Sequence, residues 1–370
     1  MTRSADLSAQ TKVSGSIREQ KPIVSIIVPC RNEVKHLRGF LDSVFQQDLA
    51  GCDWEVIVAD GMSDDGTWPL LEEYARKQPR LRLLRNPAGI VSTGLNACIR
   101  AARGDIIVRM DAHTEYAPNY VRECIKALEK TGADNVGGPA RTRADGLWQR
   151  AIAAAYHSPF ACGGVRFHND RYEGFVDTVP YGCWKKSTLV KLGLFDETLI
   201  RNQDDELNLR LTRSGGKVWQ TPRIVSYYHP RTELSKLFRQ YFQYGFWKVA
   251  VIRKHRLPAS WRHLVPGAFV AALGISFLSW LISEGGGHLG LAAVSKALLL
   301  ILLLSYAGCS VIAAFTAARS HGWSIFPILP PIFAVYHISY GLGFLCGLAS
   351  ALLPGSRLSR PARAFVELSR

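Results

Sequence analysis

The sequence predicts an α/β domain on a mostly parallel sheet, followed by a set of transmembrane helices. Three observations predict it. Short apolar runs alternate with helix-patterned stretches in the first third of the chain. Acidic residues stand where those runs end. Beyond Leu264, long apolar segments replace the mixed composition found upstream.

The runs are Ile23–Val28, closed by Pro29; Trp54–Ala59, closed by Asp60; Leu81–Leu84; and Ile106–Met110, closed by Asp111. Continuous apolar runs of this length read as strands buried on both faces. Helical patterns lie between them, over Val34–Gln46, Thr67–Lys77 and Ile90–Ala102. Strand-helix alternation implies right-handed βαβ units. Functional side chains then gather beyond the carboxyl ends of the strands. Glu33, Asp60 and Asp111 fall there. Residues 135–230 are less regular, with one helix predicted over Asp204–Ser214 and ended by Gly215-Gly216.

Three apolar segments follow: Leu264–Ile282, Ala293–Ala318 and Ile325–Leu353. A span needs about 20 apolar residues, and the first two qualify outright. The third carries Pro327, Pro330 and Pro331, so a kinked span or a re-entrant start is expected. Between Arg231 and Arg262 lie eight Lys/Arg and one acid, Glu233, interleaved with Phe238, Phe242, Phe246, Trp247 and Trp261. That mixture suits a cytoplasmic membrane surface. The expected organisation is a disordered lead-in (1–20), a catalytic domain (21–230), an interfacial segment (231–263), a transmembrane region (264–353) and a basic tail (354–370).

The formal net charge is +15. With no nucleic-acid motif and with basic residues crowded toward the apolar tail, a lipid bilayer is the expected partner and nucleic acid is not. The eight cysteines form no C-x-x-C pair, which fits a reduced compartment.

Three constellations carry chemistry. Asp60, before Gly61-Met-Ser-Asp-Asp-Gly66, is either part of a capping turn or a carboxylate that accepts hydrogen bonds from a nucleobase or ribose. Asp111 and His113 sit at i and i+2, which in an extended segment project to one side. They could share a divalent ion that neutralises a departing diphosphate, or belong to an ordinary strand-end turn. Asp204-Asp205-Glu206 either favours a helix N-terminus or supplies a general base whose pKa neighbouring anions raise.

Taken in order, Val24-Ser-Ile-Ile-Val-Pro-Cys-Arg-Asn-Glu33, Val56-Ile-Val-Ala-Asp-Gly-Met-Ser-Asp-Asp-Gly-Thr67, Arg85-Asn-Pro-Ala-Gly89, Ala102-Arg-Gly-Asp-Ile-Ile-Val-Arg-Met-Asp111 and Gln203-Asp-Asp-Glu-Leu-Asn-Leu-Arg210 resemble a family 2 glycosyltransferase with the GT-A (Rossmann-like) fold. Met110-Asp-Ala-His113, Asn202-Gln-Asp-Asp-Glu206 and Gln240-Tyr-Phe-Gln-Tyr-Gly245 are similar to the succinoglycan-biosynthesis glucosyltransferase subgroup (ExoA type). The resemblance implies that Pro29, Glu33, Asp60 and Asp111 bind a nucleotide sugar and that Asp204 is the base. It also implies that Asp111 and His113 hold Mn²⁺ or Mg²⁺. The family pattern has Asp where His113 stands and Glu where Gln203 stands. His229 is either a further metal ligand or a structural histidine. Asp205, about 100° around the helix from Asp204, is expected to matter less.

The implied activity is inverting transfer from a UDP-sugar, UDP-glucose among the candidates, to a polyprenyl-diphosphate-linked glycan in exopolysaccharide biosynthesis. It would occur on the cytoplasmic face of the inner membrane, alongside other polysaccharide-assembly proteins. Processive relatives carry Gln-x-x-Arg-Trp. Here Gln220 and Arg223 are followed by Ile224, so single addition is expected. Two other readings stay open: transfer onto a polyprenyl monophosphate, and a non-catalytic assembly subunit with the same fold.

Overall fold

Strand β1 (Ile23–Cys30) is followed by α1 (Val34–Phe45), β2 (Asp53–Asp60), α2 (Thr67–Lys77), β3 (Leu81–Arg85), α3 (Val91–Ala101) and β4 (Ile106–Arg109). This computed structural model describes residues 23–49 and 51–352, so the expected lead-in and basic tail lie outside the described residues. β1 pairs in parallel with β2 and β4, and β2 with β3. Alternate residues of β1 feed two cores. Val24, Ile26 and Val28 pack on one face with Leu37 and Leu41 of α1, and Ile27 packs on the other with Leu95 and Ile99 of α3. Helices on both faces are why the strands read as unbroken apolar runs.

The remainder of the domain comprises β5 (Thr114–Tyr116), α4 (Tyr120–Thr131), β6 (Asn135–Gly137), β7 (Arg141–Thr142), α5 (Gly146–His157), α6 (Pro159–Cys162), β8 (Gly174–Val176), β9 (Cys183–Lys185), α7 (Lys186–Lys191), α8 (Gln203–Arg213), β10 (Val218–Gln220) and β11 (Ser226–Tyr228). The main sheet runs β3-β2-β1-β4-β9-β6-β10-β8, with β9 and β8 antiparallel to their neighbours. A small sheet, β5-β11-β7, stands beside it. Strands of two or three residues show no periodicity, which is why this half looks irregular in sequence. α8 ends as expected: Gly215, at φ +84°, is in the left-handed conformation, and the Gly216 N–H donates to the Leu211 carbonyl.

Four long helices follow: α9 (Leu234–His255), α10 (Val265–Gly285), α11 (Leu289–His321) and α12 (Leu329–Leu352). Three stretches, Trp261–Gly285, Leu289–His321 and Trp323–Leu352, are long and apolar enough to cross a membrane. Ile282 and Leu304, 73% and 70% exposed, point outward from α10 and α11, as lipid-facing positions would. The third stretch begins as a 3-10 turn, Trp323–Ile328, that contains Pro327. Pro330 and Pro331 then fall in the first turn of α12, where a missing N–H breaks no helical bond.

α9 does not lie simply as a surface helix. Phe238 stays exposed, whereas Phe246 and Trp247 are buried. α9 crosses α12 at close range through glycines. A Cβ on Gly245 would sit 2.1 Å from the Tyr340 carbonyl oxygen, and one on Gly343 2.0 Å from that of Phe242. α9 is therefore the seam between the catalytic domain and the third apolar helix.

Candidate active site

The loops after β1 and β2 are knitted into one wall. Asn32 N–H donates to Ser63 Oγ (2.8 Å), Asp64 N–H to Asn32 Oδ1 (3.0 Å) and Glu33 N–H to Thr67 Oγ1 (2.9 Å). Asp65 accepts from Val34 N–H, the first residue of α1. Beneath them Asp60 is fully buried. Ser63 donates to its Oδ1 and Arg85 Nη1 to its Oδ2 at 2.9 Å. Arg85 in turn lies over the Trp68 ring.

That wall borders a cavity of about 920 Å³. Pro29, Glu33, Asp111, His113 and Asp204 all line it. Asp60 does not. Its neighbours Ala59 and Gly61 form the surface there. His229 is also outside the lining. Its Nε2 meets Glu115 Oε1 at 2.7 Å.

Arg109 occupies the centre, its side chain 5% exposed. Its Nε donates to Asp111 Oδ1 (2.8 Å) and its Nη2 to Asp111 Oδ2 (3.0 Å), a side-on pair, while Nη1 donates to Asp204. Asp111 N–H also donates to Tyr116 Oη (2.7 Å). Burial holds the Asp204 carboxyl above the ordinary carboxylate range. The Arg109 charge opposes that rise, and Asp111 and Asp205 add to it. Arg109 was passed over in the sequence although a signal existed: a charge inside the apolar run Ile106–Met110.

Asp205 also lines the cavity. Lys248 of α9, buried, donates to Asp205 Oδ2 at 2.6 Å. Burial alone would raise the Asp205 pKa, but Lys248, together with His263 and Arg262, turns the net shift downward.

His113 Nδ1 meets Glu33 Oε1 at 3.0 Å. Burial would push the imidazole pKa down, yet the bond to Glu33 and the nearby Asp111 charge hold it above its usual value. Among the described residues no three metal-ligating side chains converge. Ala112 and His113 lie in a turn, with Thr114 N–H donating to the Asp111 carbonyl (3.1 Å), rather than in the extended segment expected, and both Asp111 oxygens are held by Arg109.

A mostly parallel sheet with a carboxylate-lined cleft beyond its strand ends fits the GT-A fold of glycosyltransferases. Residues 25–185 match the model of glycosyl transferase family 2. The chain is 30% identical over 243 residues to the succinoglycan biosynthesis protein ExoA of Rhizobium meliloti, covering 65% of this chain and 73% of that one. It is 28% identical over 258 residues to a dolichyl N-acetyl-alpha-D-glucosaminyl phosphate 3-beta-D-2,3-diacetamido-2,3-dideoxy-beta-D-glucuronosyltransferase of Methanococcus voltae, covering 68% and 79%. Among solved structures, a mannosyltransferase of Pyrobaculum calidifontis in complex with GDP-Man and Mn²⁺ shares the fold at TM-score 0.56 and 19% identity, over 88% of each chain. The chain belongs to glycosyl transferase family 2, and the fold and enzyme class expected from the sequence hold.

Proposed function

We propose that the protein moves one sugar, with inversion, from a UDP-sugar to a glycan carried on a polyprenyl diphosphate, at the cytoplasmic face of the membrane. The supporting observation is the continuity of the cavity described above. It runs from Pro29 and Glu33, past Asp111 and Asp204, to Tyr336 and Tyr340 of α12, a helix long and apolar enough to cross a membrane. A soluble donor and a membrane-held acceptor can therefore meet in one enclosure, where tethering raises the acceptor's effective concentration. The relatives named above supply the glycan-synthesis context.

Asp204 takes the proton of the acceptor hydroxyl. That oxygen attacks the anomeric carbon as the bond to the nucleotide diphosphate breaks. Arg109 orients Asp204 and balances its charge against Asp111. Asp111 and His113 would hold a divalent ion, which neutralises the leaving diphosphate when bound. Pro29, Glu33 and Asp60 belong to the nucleotide end.

The test is a donor and acceptor screen on the full chain in nanodiscs, with Asp204→Asn beside the parent. A general base contributes about 10²- to 10⁴-fold, so turnover should fall on that order while UDP affinity holds. Near-parent turnover in Asp204→Asn removes this mechanism.

A further inference from the structure

Length and apolarity would let α12 cross a bilayer, but its packing partners belong to the catalytic domain. α12 runs beside α9 in the same direction. Tyr336 meets the Tyr241 ring at 4.3 Å between centroids. Further along, a Cβ on Gly347 would lie 2.8 Å from the Phe246 carbonyl oxygen and 3.0 Å from Val249 Cγ2. α9 is itself tied to the domain by charge. Lys248 pairs with Asp205, and Lys254 pairs with Asp196 and Glu206. Ionised side chains are costly in hydrocarbon, so α9 stays out of the bilayer core. A helix packed along it from Tyr336 to Gly347 stays at the same level.

The two faces of α12 differ. Ile332, Phe333 and Tyr336 are buried against Ala151, Ile152 and Ala155 of α5. Tyr336 Oη donates to the Ile152 carbonyl (3.3 Å), and His337 Nε2 to that of Phe160 (2.9 Å). The other face carries Ile338, Leu342, Cys346 and Ala349, all exposed and apolar, at i, i+4, i+8 and i+11. One face on protein and one apolar face left open suit a helix that lies in the membrane surface. α12 meets α10 at the first turns of that helix, where a Cβ on Gly341 would sit 2.5 Å from the Pro266 carbonyl oxygen and one on Gly267 2.7 Å from the Phe344 ring. Deeper in, α10 pairs with α11, Ser279 Oγ lying 2.9 Å from Ser295 Oγ.

Charge agrees with this placement. Arg319 stands near the end of α11, and Arg357, Arg360, Arg363 and Arg370 follow α12 in the sequence. Residues 286–288, which join α10 to α11, include no Lys or Arg. Lys and Arg concentrate on the cytoplasmic side of a membrane. If α12 crossed, its four following arginines would share a side with that uncharged turn.

We infer that the α10–α11 hairpin crosses the bilayer whereas α12 does not. α12 lies in the membrane surface on the side of the catalytic domain, with Ile338, Leu342, Cys346 and Ala349 toward lipid. Its inner residues Tyr336 and Tyr340 line the cavity, so one helix is the partition between the bilayer and the active site. The chain beyond Leu352 is then on the same side as the catalytic domain.

Two measurements on the full chain in a bacterial host test it. The first is an alkaline phosphatase, active only outside the membrane, fused after Arg370 and read per membrane-integrated chain. The second is His288→Cys in intact spheroplasts, treated with a maleimide that cannot cross membranes. The phosphatase should be at least tenfold less active than the same enzyme exported freely. His288→Cys should label at least fivefold above the parent, whose own cysteines set the background. An active phosphatase with a labelled His288→Cys puts α12 across the bilayer and overturns the inference. An inactive phosphatase with no labelling above the parent removes the hairpin and overturns it too. An active phosphatase with an unlabelled His288→Cys keeps α12 on the side of the catalytic domain and supports its placement, while counting against the cytoplasmic reading proposed above.

Discussion

Arg109 grips Asp111 side-on, with parallel bonds of 2.8 and 3.0 Å, and extends its remaining nitrogen to Asp204. One buried guanidinium thus links the carboxylate proposed for the donor end to the carboxylate proposed as the base. Its position makes the ionisation of Asp204 depend on a residue that contributes no proton of its own.

Turnover should therefore fall as pH drops through an Asp204 pKa that lies above the ordinary carboxylate range, because the base acts only when ionised. Arg109→Met should shift that acidic limb to higher pH, since Arg109 is the group that lowers this pKa. The stability effect has the opposite sign to that of a carboxylate whose pKa folding lowers. Between the unfolded and folded pKa the native state binds more protons, so stability declines as pH rises through that window. A pH profile of kcat for parent and variant decides the matter, and superimposed limbs would exclude the coupling.

The Asp205–Lys248 pair predicts an asymmetry in stability. The Lys248 side chain is 4% exposed, whereas that of Asp205 is 40% exposed and opens to the cavity. Asp205→Asn strands a buried charge, a loss on the order of 3–5 kcal/mol. Lys248→Met leaves a carboxylate that solvent can reach, so it should cost less, and the double variant should recover part of the loss. Thermal unfolding in one detergent ranks the three. A larger loss in Lys248→Met would reverse the assignment.

Chelation should abolish transfer, and added Mn²⁺ or Mg²⁺ should restore it. His113→Asp should retain more activity than His113→Ala, because a carboxylate can replace the imidazole as ligand. It should need no more metal than the parent, since a further carboxylate beside Glu33 and Asp111 attracts the cation. Metal titrations of the three proteins measure this. Equal losses in the two variants would rule out a ligand role.

Gly245→Val and Gly343→Leu should destabilise the seam between α9 and α12, because each side chain would start about 2 Å from a backbone carbonyl of the other helix. Overpacking costs typically about 1–3 kcal/mol. Gly274→Ala, on α10 with nothing within 4 Å of the added atom, is the control. Unfolding temperatures that fall equally in all three would mean that the seam is not tightly packed.

Much of the architecture was legible without coordinates. The strands β1 to β4 and helices α1 to α3 announce themselves because each is long enough to repeat its period and is buried on a definable face. The apolar segments did so by length alone. Asp111 and His113 stand at a strand end and Asp204 at a helix start, positions that local pattern can locate. What the sequence could not express was partnership across distance. Arg109 and Asp204 are 95 residues apart, and Lys248 and Asp205 are 43 apart. Gln243 of α9 and Tyr340 of α12 line one cavity, and close contacts at Gly245 and Gly343 hold those two helices together. Periodicity and motif order arise from neighbours along the chain, whereas a cavity is made by whichever surfaces close packing brings together, and only the tertiary structure decides that.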